Sequence, residues 1–216
     1  MAITLATGSQ IFLAKTYGSV VNMTAITNAT EAVATLAAGH GVVVGDYLEV
    51  TSGWGKLDKK VVRVKTVATN DITFEGINTS STSVYSAGGG IGSIRRITAW
   101  DEVTQIKDMS SSGGDQQFAD ITSISDVVER KTPTIRSAVT GNLTVFDDPT
   151  LSWYATATSA SDSASPVGLR FNLPNGSKLV ANAYVSLMKV PQISKNEALT
   201  TQLSFTYAAD PVRYSS

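Results

Sequence analysis

Val167-Gly-Leu-Arg-Phe-Asn-Leu173, then Pro174-Asn-Gly-Ser177, then Lys178-Leu-Val-Ala-Asn-Ala-Tyr-Val-Ser-Leu-Met-Lys-Val190, is the stretch whose reading decides the fold. Leu169, Phe171 and Leu173 alternate with Arg170 and Asn172, the period-2 mark of a half-buried strand. Asn175-Gly176 supplies residues that tolerate positive φ in a tight turn. The returning arm puts Leu179, Ala181, Ala183, Val185 and Leu187 on one face, and Val180, Asn182, Tyr184, Ser186 and Met188 on the other. At about 3.3 Å per residue it could span roughly 40 Å. Its only charges, Lys178 and Lys189, sit near its ends. A long strand with an uncharged middle is a sticky edge unless something pairs with it. The domain is therefore expected to be a closed barrel, or a sheet that continues into another subunit.

The bulk numbers narrow the class. The 216 residues allow one large or two small domains. Charged residues make up 16%, against a typical value of about 25%. That suits a subunit of an assembly or a Ser/Thr/Ala-rich β protein. The net charge of −1 carries no basic surplus for nucleic-acid binding. Residues 23–98 hold seven Lys/Arg against six Asp/Glu; residues 99–216 hold nine against twelve, a balance of −3. There is no cysteine, hence no disulfide or zinc–thiolate site. No signal peptide is expected, and no apolar run approaches the roughly 18 residues of a membrane span.

Residues 1–10 read as an arm that needs a neighbour to order it. Gln10–Ala14 is a short strand, and 22–38 has no clear period. Ala38–Ile97 changes texture: Gly39-His40-Gly41 and Gly45-Asp46 are turn signals between short strands at Val42–Val44, Tyr47–Thr51, Lys60–Val67 and Asp71–Glu75. Its Gly-His-Gly-Val-Val-Val-Gly-Asp-Tyr-Leu-Glu-Val string resembles small SH3-like barrel modules inserted in phage structural proteins. Gly88-Gly89-Gly90-Ile91-Gly92 lacks the spacing and the helix of a phosphate cradle and reads as a flexible linker at a domain junction.

Trp100–Asp108 reads as a strand. Asp108 to Asp115 encloses a Ser/Gly loop without calcium-loop spacing. Thr134–Phe146 is another long β segment. Asp148-Pro149, with Leu151, Tyr154 and Ala155 at helical spacing, marks the one helix, with Asp148 as N-cap and a breaker at Ser159–Pro166. Adjacent Asp147 and Asp148 fit capping better than acid catalysis. The last strand, Ala198–Asp210, sets Leu203 and Phe205 on one face and Gln202 and Ser204 on the other.

The order of these elements is informative: the Thr-rich Gly141–Val145 strand, the Asp148-Pro149 helix, the Leu-Arg-Phe-Asn-Leu-Pro-Asn-Gly hairpin, and the terminal Thr/Gln strand. Together they resemble the major tail tube protein of long-tailed bacteriophages. Phe118-Ala119-Asp120-Ile121-Thr122-Ser123 is similar to that family's segment before its long inter-subunit loop. The resemblance covers 100–210 and extends to 1–20. It implies a mainly β fold: a β-sandwich or split barrel with one short flanking helix, plus an inserted small β-barrel-like module.

The implied organisation is 1–22 as N-terminal arm and first strand, 23–98 as the inserted module outside the tube, and 99–216 as the tube core. The implied function is a virion tail structural subunit, assembled in the host cytoplasm. It forms hexameric rings stacked into a conduit for double-stranded DNA, with a neutral or acidic lumen. Tape measure, tail terminator and distal tail proteins are the implied partners. Ser110, Ser111, Gly113, Gln117, Phe118, Leu179, Val185, Leu187, Leu203 and Phe205 are the expected inter-subunit positions. No catalytic, metal or cofactor residues are expected. A glycan- or receptor-binding module centred on Trp54, and the inner tube of a contractile injection machine, are the alternatives. Excision of 23–98 is expected to leave tube assembly intact.

Overall fold

Strand pairing in the computed structural model, which describes residues 5–215, divides the chain by where its sheet closes. Residues 1–4 of the expected N-terminal arm lie outside the described residues. In chain order the strands are β1 (Gln10–Ile26), β2 (Val33–Leu36), β3 (Tyr47–Ser52), β4 (Val61–Ala68), β5 (Asp71–Phe74), β6 (Gly92–Val103), β7 (Ile106–Ser112), β8 (Gln116–Asp120), β9 (Lys131–Arg136) and β10 (Thr140–Phe146). The helix α1 (Ser152–Ser163) follows, then β11 (Val167–Asn172), β12 (Lys178–Leu187), β13 (Thr200–Tyr207) and β14 (Val212–Tyr214).

The large sheet runs β2-β5-β4-β3-β6-β1-β11-β12-β13-β10-β7. A further pairing of β2 with the end of β1, Met23↔Leu36 and Ile26↔Ala34, closes one end into a small barrel. Its interior is a separate apolar cluster that includes Met23, Leu36, Leu48, Trp54, Phe74 and Ile94. The second cluster fills the body between β1, β11, β12, β13, β10 and α1, around Leu13, Trp153, Leu169 and Leu203.

Two strands serve both clusters. β1 pairs with β11 at Gln10–Leu13 and then continues into the barrel, and β6 accompanies it throughout. Their register slips at Ala14/Thr16, Thr16/Tyr17 and Tyr17/Val20, where the strands leave one cluster for the other. Bulges bend a strand without ending it, which suits such a passage. The expected boundaries at 22/23 and 98/99 thus fall within β1 and β6.

The decisive hairpin forms with the expected alternation, Phe171 opposite Leu179 and Leu169 opposite Ala181. Its returning strand, however, is not an edge. β12 ends at Leu187 and is flanked by β11 on one side and by β13 and β14 on the other. The edge lies at β7. Arg170, on the polar side of the alternation, is not left to water: its guanidinium stacks 4.4 Å from the Phe12 ring and 4.6 Å from the Trp100 ring.

Several local expectations are corrected by long-range pairing. Val42–Val44 is not a strand, because His40 folds over it: His40 Nδ1 accepts the Val42 N–H at 3.0 Å while Nε2 donates to the Thr69 carbonyl at 2.9 Å. The Ser/Gly loop after Asp108 is strand as far as Ser112, since Ser110, Ser111 and Ser112 pair with Asn142, Gly141 and Thr140. The strand expected over Trp100–Asp108 breaks at Gln105, at φ 61°, and the one over Thr134–Phe146 breaks between β9 and β10.

The helix starts later than expected, with Leu151 at the N-cap and no side-chain cap. Asp148 instead accepts the Thr150 hydroxyl at 2.6 Å and its N–H at 3.0 Å, closing a local turn. Gly88–Gly90 is not a linker. Gly90 lies against Trp54 so closely that an added Cβ would come within 2.5 Å of the indole.

Candidate assembly surfaces

β10 and β13 present one face to the body core and the other to solvent, and β7 continues their register with both of its faces largely open. Leu143 stands opposite Leu203 and Met109 on the inner face, with Gly141 opposite Phe205 and Ser111. On the outer face the rows read Thr206–Thr140–Ser112, then Ser204–Asn142–Ser110, then Gln202–Thr144–Asp108. Ser186 of β12 extends the middle row. Every one of these side chains ends in a hydroxyl or amide except Asp108, and the exposed Phe146, opposite Thr200, ends the face as an apolar member. At the border, Lys59 of the barrel donates to the Tyr184 hydroxyl at 3.2 Å.

β7 ends the sheet, so among the described residues its outer backbone edge has no strand beside it. Beyond it the chain turns through Gly113 and Gly114, at φ 91° and 84°, conformations that glycine tolerates. A Cβ at Gly113 would sit 2.1 Å from the Ala138 carbonyl oxygen. The chain then forms a separate two-stranded sheet of β8 and β9, with Ala119 opposite Thr132 and Phe118 opposite Pro133. We call residues 113–139 the arm. Its large apolar side chains are uncovered: Phe118 is 58% exposed and Ile124 107%, with Ile121, Val127, Val128 and Ile135 similarly open. Large apolar groups concentrated in this way mark a contact surface.

A groove of about 740 Å³ opens beside β7. Ile106, Lys107, Asp108 and Met109 of β7, Phe171 and Leu173, Leu179, and the Ala6–Ser9 segment line it.

The barrel is fastened to the body by a buried polar cluster. Glu49 is 8% exposed. Its carboxylate accepts Asn182 Nδ2 at 2.8 Å and Arg95 Nε at 2.9 Å, and forms an ion pair with the same guanidinium. Arg95 stacks 4.5 Å from the ring of Tyr17, whose hydroxyl accepts the Gly168 N–H at 2.9 Å. Burial, the largest influence, pushes that hydroxyl up to about 12. Tyr47 and Val61 of the barrel pack in the body cluster, and the Tyr214 hydroxyl near the C-terminus accepts the Arg63 N–H at 2.7 Å.

The expected inter-subunit positions separate into two groups. Ser110 and Ser111 lie on the free strand β7, Gly113 at the arm's root, Gln117 and Phe118 on the arm, and Leu179 in the groove. Val185, Leu187, Leu203 and Phe205 point into the protomer's own core. That second group is the most apolar alternate set of its strands, the kind of set that packs inside a protomer as readily as between protomers. The other set of the same strands, Ser186, Gln202 and Ser204, is the one that reaches solvent. Nothing in the sequence brings Ile106, Met109 and Leu173 together, because the groove is assembled from distant segments.

Trp54, on which a glycan site would rest, is 2% exposed and donates its indole N–H to the Ser86 carbonyl at 2.7 Å. Among the described residues, no cluster of His, Cys, Asp or Glu could hold a metal ion, and no helix is long and apolar enough to cross a membrane.

The family model described as phage tail tube protein, TTP, matches residues 52–216. No curated protein matches. The fold is similar to the anti-feeding prophage cap that terminates the AFP tube, at 16% identity and a TM-score of 0.35, covering 50% of this chain and 79% of that one. It is also similar to a chain of the sheath–tube complex of PVC, an extracellular contractile injection system in its extended state. There the identity is 12% and the TM-score 0.36, covering 50% of this chain and 80% of that one.

Proposed function

This chain belongs to the phage tail tube protein family, a family of structural subunits of the virion tail, and from that premise we propose that its copies form a conduit for double-stranded DNA. Copies close into hexameric rings, and the rings stack. The outer face of β13, β10 and β7 forms the wall that DNA passes. The observation that carries this reading is the chemistry of that face: rows of hydroxyls and amides with Asp108 as the one charge.

Proteins that hold DNA do so by neutralising phosphates with Lys and Arg and releasing counterions. A wall without cations has no such hold. Asp108, repeated around a ring, repels phosphates and keeps the duplex moving. The balance of −3 over residues 99–216 has the same sign.

The free strand β7, with Ser110 and Ser111, and the arm, with Gly113, Gln117 and Phe118, contact neighbouring copies. Residues 23–98 stand outside the tube. Tape measure, tail terminator and distal tail proteins are its partners at assembly in the host cytoplasm. No catalytic step and no cofactor belongs to this role.

The test uses assembled tubes incubated with linear duplex DNA at physiological salt. Wild-type tubes should retain none. Tubes carrying Asn142→Lys and Ser204→Lys should retain DNA, and high salt should release it. Tight retention by wild-type tubes would overturn the reading, as would doubly substituted tubes that still hold no DNA.

A further inference from the structure

Between α1 and the β1–β6 pair lies a cleft of about 400 Å³ that the conduit does not use. β1 contributes Lys15 and Tyr17 to it, β6 contributes Arg95, and α1 contributes Thr156 and Ser159. Ala14, Ala160 and Val167, all buried, add an apolar lining. Lys15 and Arg95 are the only charged residues of that lining. We infer that this cleft binds a carboxylate group carried on a small apolar body, with Lys15 and Arg95 as its donors.

Both cations already have partners, and the pairing leaves donors over. Lys15 Nζ donates to Asp101 Oδ1 at 3.0 Å and to Ser152 Oγ at 2.8 Å, which leaves one of an ammonium's three N–H groups. Arg95 gives Nε and Nη2 to Glu49, and among the described residues its Nη1 makes no hydrogen bond. The Lys15 and Arg95 side chains are 45% and 42% exposed, against 10% and 9% for those of Asp101 and Glu49. The acids are thus buried while the cations stay open to a ligand. Hydrogen bonds from such ionised donors are roughly twice as strong as neutral ones.

Size narrows the ligand. A volume of about 400 Å³ falls within the roughly 300–1,000 Å³ of small-molecule sites and far exceeds the roughly 30 Å³ of one water. A bare inorganic anion would leave the apolar lining wet, so the fitting ligand carries carbon beside its charge. The C-terminal end of α1, at Ser163, brings partial negative charge to the same cleft. Recognition therefore rests on direct hydrogen bonds rather than on a long-range field. Such a carboxylate comes either on a free small acid or on the acidic side chain of a protein segment.

Saturation-transfer NMR observes the ligand, so it serves free and assembled protein alike. The probes are succinate and an end-blocked Ala-Glu-Ala peptide, each set against its neutral counterpart, succinamide or Ala-Gln-Ala. At least one carboxylate should bind with a dissociation constant of about 1 mM or below, and the neutral amides about tenfold more weakly. Lys15→Gln removes a charged donor, and Ser159→Trp fills the cleft from an exposed helix position without touching a charge. Each should weaken binding about tenfold, as for one lost hydrogen bond to a charged group, and thermal melting checks that each folds. Tighter binding of the peptide assigns the site to an acidic protein segment, and tighter binding of succinate to a free acid; either upholds it. No binding of either carboxylate, equal binding of the amides, or undiminished binding by either folded variant would overturn the inference and leave the tube reading standing.

Discussion

The barrel and the arm are both insertions between strands of the body, and they treat their sheet edges in opposite ways. In the barrel, β2 returns to β1 and every edge is paired. Its interior holds Phe74, Leu48 and Ile72 with essentially no exposure. In the arm, β8 and β9 pair, among the described residues, only with each other, and the apolar side chains face water. A two-stranded hairpin is marginal alone in water. The barrel thus buries its apolar residues for its own stability, while the arm leaves its own open to water. Low overall charge reflects the same division: neutral surfaces are tolerable where another copy covers them.

Four experiments bear on this contrast. The largest effect is expected from excising 23–98. Continuous β1 and β6 would be cut, and Tyr47 and Val61 would leave the body cluster. Asn182, buried under the barrel, would lose the Glu49 carboxylate. The expectation from sequence of an intact tube is therefore replaced by loss of soluble folded protein, read from soluble yield and near-UV circular dichroism. A soluble deletion variant with a cooperative melt would show that the body stands alone.

Next comes the barrel interior. Phe74→Ala should cost about 3–5 kcal/mol in urea unfolding, through lost burial and a cavity. Phe118→Ala, at the same residue type on the arm, should change monomer stability by less than about 0.5 kcal/mol while raising the concentration needed for assembly. Equal stability losses from the two would erase the distinction between the regions.

A smaller effect is expected at the seam. Removing the Glu49 carboxylate with Glu49→Ala leaves Asn182 Nδ2 and Arg95 partly unsatisfied, at a cost of about 1–3 kcal/mol. The corresponding Glu102→Ala, at an exposed acid that accepts a hydrogen bond from Gln10, should cost almost nothing.

The smallest effect concerns pH. Burial works to raise the Asp101 carboxyl, but hydrogen bonds from Thr156, Lys15 and Ser152 outweigh it and hold the group below the usual carboxylate range. A folded pKa below the unfolded value of about 3.9 gives stabilisation that is present above that value and lost as pH falls through the folded one. The wild type should therefore lose stability below about pH 4 more steeply than Asp101→Asn. Parallel acid limbs in urea titrations would remove Asp101 from the account.

Much of the fold was legible because alternation is a local property. The Leu169–Phe171 hairpin, the terminal strand and the change of texture after Ala38 all follow from period and turn residues. What failed depended on partners far away in sequence. Ser110–Ser112 looks like a loop until Asn142 lies beside it. Gly88–Gly90 looks like a linker until Trp54 packs against it. Leu203 and Phe205 stood out as contact residues because they are apolar, and for the same reason they lie inside the protomer. Residues facing the outside, such as Asn142 and Ser204, are small and neutral and give no pattern of their own. Only the register across β7, β10 and β13 gathers them into one face.

The central claim is that the apolar surface this protomer leaves open is closed by its own copies. Negative-stain electron microscopy of the purified wild type over a range of concentrations tests it most directly. Hollow rings or tubes of uniform width, appearing above a threshold concentration and absent for a Phe118→Asp, Ile121→Asp variant that melts normally, are the expected result. A protein that remains monomeric at every concentration, or a doubly substituted variant that forms the same tubes as the wild type, would contradict it.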